Sequence, residues 1–211
     1  MYSPELLDEV TLKQLRVGID GKTKDKSRHV LTRLKEVTSD GVLMFQSSSI
    51  TVWPGKREAY TNYVQLVDWQ EALDLEDVNF SERANLAVFG DVKVSCDCGS
   101  FLYHGYAYIV TQLDAIYPTD NWEQRPDTLA PKNTSGSDNI EHRFPGIRNP
   151  DLEGVVCKHL DTVLYVVTMS VSRIAAYMKE MVKNGDITVN MGSSEIDPED
   201  TEETGDRNDK K

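Results

Sequence analysis

A chain of 211 residues, 39% hydrophobic and 27% charged, has the length and proportions of one globular domain with its own core, with room for a tail. It contains no run approaching the ~18–20 apolar residues of a membrane span. Its formal charge of -12 argues against a protein that coats nucleic acid over its whole surface, though not against a local basic patch.

Met1-Tyr2-Ser3-Pro4-Glu5 lacks the basic-then-apolar pattern of a secretory signal, so the chain is expected to stay where it is made. Ser3-Pro4-Glu5 instead opens a predicted helix, with a capping serine and a proline in the first turn. Leu6, Val10 and Leu15 form its stripe, and it ends near Gly18. His29 to Val37 is a second, weaker helix candidate. Leu43 to Val67 is rich in Val, Ile, Thr, Tyr and Phe and is broken by Trp53-Pro54-Gly55, which predicts strands around a turn. Asp68 to Leu75 is expected as a short helix. Ser81 is expected to cap another that runs through Phe89 and stops at Gly90. Val92 to Ser95 alternates as a strand.

In the run from Phe101 to Tyr117, Leu102, Tyr106, Ile109, Leu113 and Ile116 recur at steps of three or four, which favours helix over strand. Residues 117–150 hold five of the eight prolines and predict a long irregular insertion. Leu160, Val163, Leu164, Val167, Val171, Ile174, Met178 and Met181 then mark one long amphipathic helix, stopping near Asn184-Gly185.

Charge is unevenly placed. Gly185 to Lys211 carries nine acids and three bases, half of the net charge, and little apolar content. It is read as a disordered acidic tail, a solubilising end in preference to a binding segment. Near the N-terminus Lys13, Arg16, Lys22, Lys24, Lys26, Arg28, Arg33 and Lys35 face only Asp20, Asp25 and Glu36. A solvated loop accounts for this cluster; the alternative is phosphate contact through Lys22, Lys24, Lys26 and Arg28. Gly18-Ile19-Asp20-Gly21-Lys22-Thr23 is not a nucleotide loop, because only two residues separate glycines that need four between them.

The three cysteines, Cys96, Cys98 and Cys157, are an odd number and a poor disulfide framework. Their spacing is more informative. Cys96-Asp97-Cys98 follows a predicted strand, and Cys157-Lys158-His159 stands at the mouth of the long helix. Three thiolates and an imidazole form a structural zinc set. Side chains two apart on a straight strand share a face but stand ~7 Å from one another, so the backbone must bend to bring both to one ion, and Gly99 permits it. A Zn²⁺ with these ligands carries about -1, which a helix N-terminus stabilises. The second nitrogen of His159 needs an acceptor, which Asp161 or a backbone carbonyl could supply. The 58 residues between Cys98 and Cys157 are a long spacer, and His104 is a competing fourth ligand.

C-x-C followed by C-x-H, with the last pair opening an apolar helix, resembles the SWIM-type zinc finger, whose usual spacer is much shorter. The matching positions are Cys96, Cys98, Cys157 and His159. The stretch from Tyr60 to Leu164, about half the chain, also resembles a family of tailed-bacteriophage virion structural proteins. The segments that carry this are Val64 to Trp69, Cys96 to Tyr103, and Arg148-Asn149-Pro150 ahead of the Cys157-Lys158-His159 triplet. The resemblance implies a component of the neck, tail or baseplate, assembled in the host cytoplasm through oligomeric contacts with other virion proteins. No nucleophile motif accompanies His104 or His142. Phe101, Tyr103, Tyr106, Tyr108 and Tyr117 lack the interleaved Lys or Arg of a base-stacking surface, and are expected to pack beside the metal.

The expected molecule is α+β: a small β-rich region and amphipathic helices around one structural zinc site. Residues 1–184 form the domain, with the irregular insertion at 117–150 and the tail at 185–211. It is expected to act by binding rather than by catalysis, with a nucleic-acid-binding zinc finger as the alternative and a hydrolase with a catalytic metal as a further rival.

Overall fold

The computed structural model describes residues 10–17, 19, 21–49, 58–119, 149 and 154–187. Four strands, β1 (Val30–Val37), β2 (Val42–Ser49), β3 (Glu58–Leu66) and β4 (Val92–Cys96), form one antiparallel meander in sequence order. The fold is therefore α+β, as expected. Period-two alternation gives the sheet one apolar face, with Leu34, Leu43, Phe45, Val64, Leu66, Val92, Val94 and Cys96 turned inward. Its other face carries exposed Leu31, Arg33, Lys35 and Gln46. The outer edge of β4 is covered by Ala115–Tyr117. There Val94 N–H donates to Ala115 O at 2.8 Å and Tyr117 N–H to Val94 O at 3.0 Å.

The segment expected as a weak helix after His29 is β1. Val30, Leu34 and Val37 suit one face of a helix and of a strand alike, and pairing with β2 decides for the strand. A register shift between Leu34 and Glu36 lets Val37 rejoin the buried face. In the turn that follows, Gly41 has φ +79°, and a Cβ there would lie 2.5 Å from the Trp69 side chain. Trp69 is buried and its indole N–H donates to Ser39 O at 3.0 Å, which ties the β1–β2 turn to the helix that follows β3. The predicted turn at Trp53–Gly55 lies outside the described residues.

Among the described residues the helices are α1 (Leu12–Val17), α2 (Gly21–Ser27), α3 (Trp69–Asp74), α4 (Phe80–Phe89), α5 (Gly99–Tyr103), α6 (Tyr106–Gln112), α7 (Lys158–Thr168) and α8 (Val171–Asn184). Val10 and Leu15 of the first predicted helix are buried, but the helix itself starts at Leu12; Leu6 lies outside the described residues. The cap of α4 is Asn79, not Ser81. Its side chain accepts from Glu82 N–H at 3.0 Å while the Glu82 carboxylate accepts from Asn79 N–H, a capping box.

Two predicted helices are each divided. Gly105 at φ +86° separates α5 from α6, and Met169-Ser170 separates α7 from α8. The stop at Asn184-Gly185 is as expected, with Gly185 at φ +78°. The 117–150 insertion lies outside the described residues except for 117–119 and Asn149, and so does the tail beyond Ile187.

α7 lies against all four strands, and α8 packs on α4. Leu160, Val163, Leu164 and Val167 of α7 are fully buried. At ~1.5–3 kcal/mol for each such side chain, this face is a main source of the fold's stability. It also fixes where the N-terminus of α7 meets the end of β4.

Candidate metal centre

The metal set begins where β4 ends. Cys96 is the last residue of the strand, paired in register with Asn62 of β3. Asp97 then leaves the sheet, exchanging bonds with Thr61: its N–H donates to Thr61 O at 3.2 Å, and its carboxylate accepts from Thr61 N–H at 3.0 Å. This is the bend that a C-x-C pair requires. Cys98 becomes the N-cap of α5, its sulfur accepting from Phe101 N–H at 3.3 Å. The Cys96 sulfur accepts from Cys98 N–H at 3.5 Å. Both sulfurs therefore accept from backbone N–H groups.

The second half comes from α7. Gly154 has φ +80°, Val155 and Val156 are buried, and Cys157 is the N-cap with extended backbone. His159 sits in the first turn, 2% exposed, its ring 4.5 Å from that of Tyr60 on β3. Cys96, Cys98, Cys157 and His159 converge, each buried, with their ligand atoms all within 4.8 Å of one another. A tetrahedral ion with ~2.3 Å bonds to sulfur sets its ligands ~3.7 Å apart, so a small contraction suffices. All three cysteines are free thiols.

The protons of the metal-free cluster mark where a cation belongs. Hydrogen bonds from the Cys157 and Cys96 thiols, reinforced by the His159 ring, hold Cys98 well below the ordinary thiol value. Burial pushes Cys96 and Cys157 well above it. One thiolate is thus favoured and two are suppressed, and a divalent cation removes that conflict. Neither nitrogen of His159 has a hydrogen-bond partner among the described residues, although both are buried. A metal would satisfy one of them. Burial also raises Asp97, against the Thr61 N–H that stabilises its carboxylate. The donor set, its burial and the unpartnered imidazole fit a structural zinc ion.

The competing ligand His104 stands elsewhere. It ends α5, with its ring near Ser100 Oγ at 3.3 Å and its carbonyl accepting from Asn149 at 2.9 Å. Asp161 does not serve His159 either: its carboxylate accepts from Arg16 Nε at 2.9 Å. Phe101, whose N–H meets the Cys98 sulfur, and Tyr106 are buried in the core, while Tyr108 and Tyr117 are half-buried. The side chain of Tyr103 lies outside the described residues.

Of the basic positions, Lys24 and Arg28 line a cleft of about 500 Å³ with Arg16, Ser27, Thr162 and Tyr165. Arg28 pairs loosely with Asp25 at 3.7 Å, and Arg16 lies over the Tyr165 ring at 5.3 Å. Lys26 is exposed on α2, and the Lys22 side chain is outside the described residues. Local sequence pattern does not point to Tyr60 or Asn62 as neighbours of the cluster. The only signal for them is polar character at inward positions of a strand, which needs the register of β3 to be seen.

No family model, no characterised protein and no solved structure matches the chain. Among the described residues, no helix is long and apolar enough to cross a membrane.

Proposed function

We propose that the chain is a non-enzymatic, zinc-clipped structural protein that works through contacts with other proteins, as a component of a tailed-bacteriophage particle. The convergence of four buried ligands supports the metal part of this reading. Four protein ligands close a tetrahedral ion, leaving no position for water or substrate, and so favour a structural over a catalytic metal. The particle assignment rests on the resemblance carried by Val64 to Trp69, Cys96 to Tyr103 and Arg148-Asn149-Pro150. The bond from Asn149 to His104 O ties the third of these segments to the residue that follows the second. Leu86 and Phe89, 50% and 54% exposed on α4, give a protein partner apolar surface to cover.

Elemental analysis of protein purified under reducing conditions is expected to find about one zinc per chain; metal-free, folded protein would overturn the zinc reading. Mass spectrometry of purified virions is expected to find the chain in the particle, and its absence would overturn the particle reading. Nucleic-acid binding is a second reading, favoured by the cleft between Lys24, Arg28 and Tyr165. It predicts DNA affinity that falls steeply with salt and is lost in the Lys24→Glu/Arg28→Glu double variant. The particle reading predicts neither.

A further inference from the structure

Among the described residues, three buried side-chain polar atoms lack a hydrogen-bond partner: Nδ1 and Nε2 of His159 and Oδ1 of Asn62. Buried polar atoms are almost always paired, so three orphans in one part of the core call for an explanation. They belong to neighbouring elements. Tyr60 and Asn62 are two apart on β3 and share its inward face. Tyr60 lies against the His159 ring, and Asn62 stands opposite Cys96 in the β3–β4 register.

The orientation of the Asn62 amide is fixed. Nδ2 donates to Ser47 Oγ at 2.9 Å and to Tyr60 O at 3.2 Å, and a backbone carbonyl can only accept. The oxygen is therefore the end left without a partner. Ser47 in turn bonds Thr32 Oγ1 at 3.0 Å, so a polar row crosses β1, β2 and β3 toward the cluster. On the other side, a metal takes one imidazole nitrogen, and the second then carries an N–H that must donate. Asp161, the carboxylate nearest in sequence, is held by Arg16.

We propose that Asn62 is the positioning residue of the metal centre: its Oδ1 accepts the N–H of the His159 nitrogen that the zinc leaves free, fixing the tautomer and the ring's aim. All three orphans are then satisfied, two by one hydrogen bond and one by the ion. The inference rests on the metal reading above.

The test uses the full-length zinc-loaded protein. Long-range ¹H–¹⁵N NMR is expected to show His159 as one tautomer, with a ring N–H that exchanges slowly with solvent. A mixture of tautomers, or a rapidly exchanging N–H, would overturn the proposal without needing a variant. Competition with a chromophoric chelator is expected to show Asn62→Leu binding zinc ~10–100-fold more weakly than wild type. Asn62→Asp, which keeps an acceptor, is expected to recover most of that loss. Unchanged affinity in folded Asn62→Leu, or equal loss in both variants, would overturn the role of Asn62 while leaving the zinc site standing. Wild-type protein without zinc would instead remove the metal reading itself.

Discussion

Cys157 is the residue on which both halves of the cluster depend, because it stands at the N-cap of α7 and brings its sulfur to those of Cys96 and Cys98. Cys157→Ser is expected to reduce zinc from about one per chain to near none and to lower stability by roughly 3 kcal/mol or more, read by elemental analysis and urea unfolding. The thiols also give the metal-free protein a pH signature. Cys98 is depressed, so its contribution is present above the ordinary thiol value and is lost as pH falls through its folded value. Cys96 and Cys157 are raised, so theirs is present below a thiol value of 9.0 and is lost as pH rises beyond it. Reduced protein stripped of metal is expected to be most stable near that value, whereas zinc-loaded protein holds its stability into more alkaline solution. Urea midpoints across the range check this. The four ligands were legible in the sequence because two short spacings and a helix start are local signals. Tyr60 and Asn62 were not, because they reach the site only through the pairing of β3 with β4.

At the scale of elements, short helices hold their ends by specific donors rather than by length. Arg83 of α4 is buried, and its guanidinium donates to Ala72 O at 3.1 Å, to Leu73 O, and to Val78 O at 2.8 Å. It thereby closes the C-terminal end of α3, where a cation also meets the negative end of the helix. Arg83→Leu is expected to cost about 2–4 kcal/mol in denaturant unfolding, since three carbonyls lose their donor inside the core. Asn79→Ala is expected to cost only about 1 kcal/mol, because the cap it removes is exposed. Where the sequence reading went astray, the deciding force was tertiary. The pattern of β1 fits two periods, and its pairing with β2 chose between them. The stripe from Leu160 to Met181 keeps its helical spacing across Met169-Ser170. Hydrophobic periodicity therefore did not reveal that α7 turns off the sheet before α8 begins.

Over the whole molecule, the meander and α7 form one layer on another, and the candidate metal joins the two at the end of β4. Chelation of zinc is expected to lower the melting temperature and to loosen α7 before the β1–β2 hairpin, since Trp69 holds that hairpin from the opposite end of the sheet. Amide hydrogen exchange after chelator treatment would show this order; uniform loss of protection would contradict it. The anchoring of both ends of a long connection has a further consequence. Closing a loop costs entropy that grows only as the logarithm of its length, so ten residues added between Thr119 and Gly154 would shift stability by only about 0.2 kcal/mol. A bound ion joining Cys98 to Cys157 would hold the framework on either side of that stretch together whatever number of residues it spans. Related chains could lengthen, shorten or exchange it while leaving the framework beneath unaltered.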